Sequence, residues 1–115
     1  MAIMSSIRQQ KVARLLQRDL SEIFLKLRNT HLEGCMVSVT MVRISPDLSY
    51  AKIYCSLFGS ALPQHYLECI QANKNIVRKE LGIRVKKQLR IVPELDFYID
   101  DSIEYASKID ELLKK

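Results

Sequence analysis

Two runs rich in β-branched and other apolar residues, 36–44 and 49–57, stand on either side of Ser45-Pro46-Asp47, and they limit the fold more than anything else in the chain. Pro46 fixes its own backbone and Asp47 can bond back to the chain, so the three residues make a tight turn. A connection this short forces the two strands to be antiparallel. In the second run Ala51, Ile53, Cys55 and Leu57 fall on one face, and Lys52, Tyr54 and Ser56 on the other. One face of the hairpin is therefore apolar and needs a covering layer.

The flanking sequence supplies that layer as helices. Before the hairpin, Val12, Leu15, Leu16, Leu20, Ile23, Phe24 and Leu27 recur at helical spacing. Ser5 or Ser6 serves as the cap, and the helix is expected to end near Arg28 and Asn29. Residues 29–34 then form a loop. After the hairpin, Gly59 and Ser60 end the strand, and a helix pair is expected over about 62–90. The first of the pair turns Leu62, Tyr66, Leu67 and Ile70 inward; the second carries Val77, Leu81, Val85 and Leu89 along one stripe. Asn73-Lys74-Asn75 lies between them. Asn tolerates the left-handed backbone best after glycine, so a break is expected there, with Gly82 as a second soft point.

Pro93 forbids further helix. Leu95, Phe97 and Ile99 alternate with Asp96 and Tyr98 in a third strand, far enough from the second to run parallel to it through a crossover. Asp101 and Glu104 have capping-box spacing, and a last helix turns Ile103, Ala106, Ile109 and Leu113 inward. The expected class is an α+β sandwich of order αββααβ: a three-stranded sheet with helices on one face, plus a C-terminal helix. Patterning leaves the strand order open.

At 115 residues, 48% of them apolar, residues 1–115 are expected to form one domain. No apolar run is long enough to span a membrane, and the N-terminus lacks the form of a secretory signal, so a soluble cytoplasmic protein is expected. Cys35, Cys55 and Cys69 include no CxxC pair, and His31 and His65 add no ligand pattern, so neither a metal nor a cofactor is expected. The thiols read as free cysteines of a reducing compartment.

Charge points to the partner. Residues 71–93 carry seven basic side chains, Lys74, Arg78, Lys79, Arg84, Lys86, Lys87 and Arg90, against the single acid Glu80. That is +6 in a chain whose total is +5, so the basicity is local, the footprint of a polyanion. These seven are the expected RNA contacts, with Asn73 and Asn75 opening the helix junction. Lys79, Lys86, Lys87 and Arg90 are better placed than Arg78, which lies one residue from the buried stripe. Arg8, Lys11, Arg14 and Arg18 on the first helix form a second contact surface, offset by Asp19 and Glu22. Only Tyr54 and Tyr98 are placed to stack on bases, so contacts to phosphate and RNA shape are expected to dominate. The alternative is a protein-binding module that docks its basic face on an acidic partner. No nucleophile-base order or glycine-rich phosphate loop marks an enzyme, and Asp100-Asp101 is explained by its helix-cap setting.

The order αββααβ with a basic interrupted helix pair resembles the type II KH fold, an RNA-binding module. Three stretches sharpen the likeness: SPDLSYAKIY (45–54), RKELGIRVKKQLRIVPELDFYIDDSIEYASKIDELL (78–113) and RQQKVARLLQRDLSEI (8–23). In one register they closely resemble the bacterial ribosome-binding factor A family. The resemblance implies a single, non-catalytic KH-like domain that binds free small (30S) ribosomal subunits and contacts 16S rRNA near the neck. It further implies a role in late maturation, in processing of the 16S rRNA 5′ end, and in growth after cold shock. A monomer is expected, because no pattern in the sequence suggests a dimer seam. The chain departs from the pattern twice. Its glycines, Gly34, Gly59 and Gly82, make no GXXG loop, and where the family has Ala-x-Gly it has Asn73-Lys74-Asn75. The family-like loop Lys-Asp-Pro-Arg-Leu-Gly is here Arg-Asn-Thr-His-Leu-Glu-Gly, residues 28–34.

Overall fold

The computed structural model describes residues 6–100. The capping box and final helix expected over 101–113 lie outside them. Six elements follow in the expected order: α1 (Ile7–Leu27), β1 (Met36–Ile44), β2 (Tyr50–Phe58), α2 (Pro63–Ala72), α3 (Lys74–Val85) and β3 (Glu94–Ile99). The sheet order is β1-β2-β3, with β1 antiparallel and β3 parallel to β2. The parallel pair follows from the α2–α3 crossover, which returns the chain to the edge beside β2.

Helix α1 starts at a reciprocal capping box. The Gln9 backbone N–H donates to Ser6 Oγ (3.1 Å), and the Ser6 N–H donates to Gln9 Oε1 (2.9 Å). The helix buries Val12, Leu16, Leu20, Ile23, Phe24 and Leu27, and it buries Asp19 as well. Asp19 belongs to the apolar stripe by position, three residues after Leu16 and four before Ile23, so its charge misplaces it on the polar side. Arg18 Nε lies 3.4 Å from its carboxylate. The side-chain amides of Gln9 and Gln17 donate to the Ile44 and Val39 carbonyls, both at 3.0 Å, and tie α1 to β1.

Strand β2 begins one residue later than expected because Ser49 belongs to the turn. Asp47 Oδ1 accepts from the Ser49 N–H (3.1 Å) and from the hydroxyls of Ser45 and Ser49 (2.7 Å each). These bonds hold the Asp47 carboxyl down at about 2. A bulge between Val39 and Met41 leaves Thr40 unpaired in β1, and its hydroxyl donates to Asp100 Oδ2 (2.5 Å). Val39, Ala51, Ile53, Cys55, Leu57, Leu95 and Phe97 form the buried side of the sheet, and the rings of Phe24 and Phe97 meet edge to face at 5.8 Å. Cross-strand partners place Arg43, Lys52 and Asp96 in one row of the opposite face, and Met41, Tyr54 and Tyr98 in the next.

Three expectations need correction. Leu62 is not an inward residue: it is 77% exposed, because it caps α2 ahead of Pro63. Helix α3 stops at Val85, not near Arg90. Leu89 is still buried, carried inward by a turn in which Gln88 and Leu89 both donate to the Val85 carbonyl (2.8 Å each). Gly82 does not soften α3, which runs through it; a Cβ there would come within 3.3 Å of Val92, so its smallness admits the segment leading to β3.

Truncating Phe24 to Ala removes the contact that joins α1 to β3. Denaturant unfolding should show a loss of about 3–5 kcal/mol. The Asp47 turn makes a pH prediction. Its carboxyl is depressed from 3.8 to about 2, so its contribution is full above the ordinary carboxylate range and fades as the pH falls through about 2. An NMR titration should place the Asp47 midpoint near that value, and Ser45→Ala should move it upward.

Candidate nucleic-acid interface

The two helices that carry the expected basic residues lie side by side and antiparallel. Lys26 near the end of α1 pairs with Glu80 in α3 (3.0 Å), while Glu22, one turn earlier, pairs with Arg84, one turn later. This register brings the start of α1 to the end of α3. There Ile7, Arg8, Lys11, Val12 and Leu15 share an open groove of about 530 Å³ with Gln88 and Leu89. A second hollow beside it, about 230 Å³, is lined by Arg8 and Arg90 together with Asp47–Ser49, Leu89 and Ile91. Members of the two basic sets, Arg8 and Lys11 from one and Arg90 from the other, thus meet at one end of the helical layer. Arg8, Lys11, Arg14 and Arg18 are all exposed and follow one another at helical spacing.

The seven basic residues of 71–93 divide into two groups. Lys74 lies 3.4 Å from Glu94 and 3.5 Å from Asp96. Arg78 donates to the Val92 carbonyl (3.2 Å) and faces Glu94 at 3.8 Å, clamping the segment that enters β3. Arg84 is paired with Glu22. These three are already met by the protein's own acids. Lys79, Lys86, Lys87 and Arg90 are exposed and have no acidic partner among the described residues. Asp96 also accepts from the Tyr50 hydroxyl (2.5 Å), which holds its carboxyl below the usual range and pushes the Tyr50 phenol up. The β3 side of α3 is therefore neutralised. Of the four free cations Lys86, Lys87 and Arg90 follow the end of α3, beside the start of α1, while Lys79 lies within α3 next to Glu80.

The helix junction differs from the expectation. Asn73 is at once the C-cap of α2 and the N-cap of α3, but its backbone is not left-handed: φ is −105° and ψ 16°. Positive φ at non-glycine residues falls elsewhere, at Glu33 and Leu48. The Asn73 side-chain amide donates to the Cys69 carbonyl (2.8 Å) and to the His31 carbonyl (3.3 Å). Asn75 lies inside α3 and plays no part in the turn. The amide of Asn73 therefore faces inward and binds protein. Tyr54 and Tyr98 do lie on the sheet face opposite the buried side, but they stack on each other at 5.5 Å and 27°, which leaves each ring at most one free side.

One cluster went unforeseen. Glu33 Oε2 is 2.9 Å from His65 Nε2 and 2.9 Å from Cys69 Sγ. The bonds from Cys69 and His65 lower the Glu33 carboxyl, and in turn the bond to Glu33 pushes the Cys69 thiol up to about 11. The four-residue spacing of His65 and Cys69 was a visible signal; Glu33 reaches them only through the fold.

The ribosome-binding factor A family model matches residues 8–113. The chain belongs to that family. Ribosome-binding factor A of Cytophaga hutchinsonii is 44% identical over 112 residues, covering 97% of this chain and 84% of the relative. The crystal structure of ribosome-binding factor A from Thermus thermophilus superposes with a TM-score of 0.67 at 24% identity, over 79% of this chain and 94% of the other. A homology model of the Thermus thermophilus protein, fitted into a cryo-electron-microscopy map of its complex with the 30S subunit, gives a TM-score of 0.63 at 23% identity, over 86% of this chain and 97% of the other. Family structures of this kind share the KH-like α+β fold found here. By its name the family is one of binding factors.

The division of charge predicts a division of mutant effects. Lys86→Ala, Lys87→Ala and Arg90→Ala should each lower the salt slope of RNA binding by about one. Lys74→Ala and Arg84→Ala should leave the slope nearly unchanged and cost at most about 1 kcal/mol of stability, as exposed ion pairs do. Filter binding over a salt series separates the two groups.

Proposed function

We propose that this chain is a non-catalytic ribosome assembly factor that binds free 30S subunits through the end of the α1–α3 layer. Lys86, Lys87 and Arg90 meet 16S rRNA phosphates at that end, and Lys79 adds a contact farther back along α3. Arg8, Lys11 and Arg14 extend the contact along α1, with Arg18 beyond them already beside Asp19. Lys74, Arg78 and Arg84 are paired with the protein's own acids and add little to the contact. The observation that carries the reading is the convergence of exposed Arg8 and Lys11 of α1 with Arg90 after α3 around two adjoining hollows. Family membership supplies the partner: the Thermus relative is described in a complex with the 30S subunit.

The protein acts as a single cytoplasmic domain over 1–115, as a monomer. It works late in small-subunit maturation, assists processing of the 16S rRNA 5′ end and supports growth after cold shock. No helix among the described residues is long and apolar enough to cross a membrane. A protein partner is the second reading, favoured by the apolar floor of Ile7, Val12, Leu15 and Leu89 beneath Arg8 and Lys11. That floor suits an acidic amphipathic segment, and free RNA would fail to displace such a partner.

Gradient co-sedimentation with isolated small subunits, large subunits and joined ribosomes tests the proposal. Binding to free small subunits alone is expected. If about five phosphates are neutralised, affinity should fall on the order of 10²- to 10³-fold between roughly 50 and 200 mM salt. Equal binding to every particle would reduce the chain to a basic domain that adheres to RNA.

A further inference from the structure

His65 and Cys69 stand four residues apart on α2, so both project from one helix face. The α1–β1 loop brings Glu33 to them with φ 52°, and Gly34 at φ 81° completes the turn. Glu33 Oε2 is 2.9 Å from His65 Nε2 and 2.9 Å from Cys69 Sγ, and the sulfur and nitrogen are 3.9 Å apart. Bond lengths of about 2.0–2.3 Å at tetrahedral angles need donor separations of roughly 3.3–3.6 Å. The triangle differs from that spacing by roughly 0.3–0.7 Å on each side, and small rotations of these exposed side chains close the difference. The side chains of Glu33 and His65 are 60% and 48% exposed, so an ion has a way in and one side stays open to water.

The donor set selects the ion. Magnesium and calcium take oxygen ligands, whereas an imidazole, a thiolate and a carboxylate together suit a borderline-soft divalent ion. We propose that Glu33, His65 and Cys69 form a zinc site with solvent water at the fourth position. On binding, the Cys69 S–H bond to Glu33 gives way to a sulfur–zinc bond, and the thiol proton leaves to solvent. His65 binds through the Nε2 lone pair as the neutral tautomer protonated on Nδ1. No change of oxidation state is involved. The ion joins the α1–β1 loop to α2 by coordination in place of hydrogen bonds. The same loop reaches the α2–α3 junction through the Asn73–His31 bond, so zinc stiffens the junction that directs α3.

Cobalt(II) and zinc(II) are the probes, added to the reduced, metal-free full chain. Cobalt should give the near-ultraviolet thiolate charge-transfer band and the intense visible bands of a tetrahedral site. Zinc should displace it, raise the melting temperature and appear as one ion per chain in native mass spectrometry. Cys69→Ser keeps a hydroxyl for Glu33 and should still fold; it should lose the charge-transfer band. Cys69→Ser and His65→Gln should each weaken zinc binding by more than the roughly 10- to 100-fold that removal of an outer supporting group costs. Absence of the cobalt bands in the folded protein would overturn the proposal. So would unchanged zinc affinity in both variants.

Discussion

One asparagine sets the course of α3. Asn73 closes α2, opens α3, and satisfies carbonyls on both α2 and the α1–β1 loop with a single side-chain amide. Its own carbonyl receives the first bonds of α3, from Ile76 (3.0 Å) and Val77 (3.1 Å). Two helices can then meet at an angle with no glycine and no left-handed residue. The bridge-region backbone that Asn73 adopts is sparsely allowed, and the surrounding bonds hold it there. The direction that α3 takes from this point decides which of its side chains meet the sheet, which meet α1, and which meet solvent.

That direction also sorts the charges. Burial of Val77, Leu81 and Val85 rotates Lys74 and Arg78 toward β3, where Glu94 and Asp96 lie within ion-pair distance. Arg84 faces Glu22 across the α1–α3 seam. These exposed pairs contribute little stability individually. Their larger effect is electrostatic: they cancel positive charge along the β3 side and the middle of the seam, and leave it uncancelled where α3 ends and α1 begins. A formal count over residues 71–93 overstates the charge available to a polyanion, and the segment alone hides the contribution of α1.

The elements were legible because each carried its own period. The apolar alternation of β2 and β3 and the helical spacing of α1 survive into the structure, since one face of each must be buried. What escaped the sequence was decided across elements. Asp19 is charged yet sits on the buried stripe. Leu89 keeps the stripe's spacing although the helix has already ended, because a turn after Val85 can bury a side chain as well as a helix can. Asn at 73 and 75 suggested a left-handed turn, but hydrogen bonding by one amide achieved the break at ordinary negative φ. Glu33 meets His65 from 32 residues away, a proximity that no local pattern encodes. Among the basic residues, sequence could mark Arg78 as poorly placed from the stripe, but not that Lys74 and Arg84 would find acids on β3 and α1.

The central claim is that the binding face is the end of the α1–α3 layer and not the sheet face that carries Lys52, Tyr54 and Tyr98. Lysine reactivity footprinting of the 30S complex tests it directly, because the two faces carry different lysines. Protection on binding should be strong at Lys11, Lys86 and Lys87, while Lys52, which lies 6.0 Å from the Tyr98 ring on the sheet face, should label as it does in the free protein. Protection of Lys52 with continued labelling of Lys86 and Lys87 would contradict the account and move the interface to the sheet.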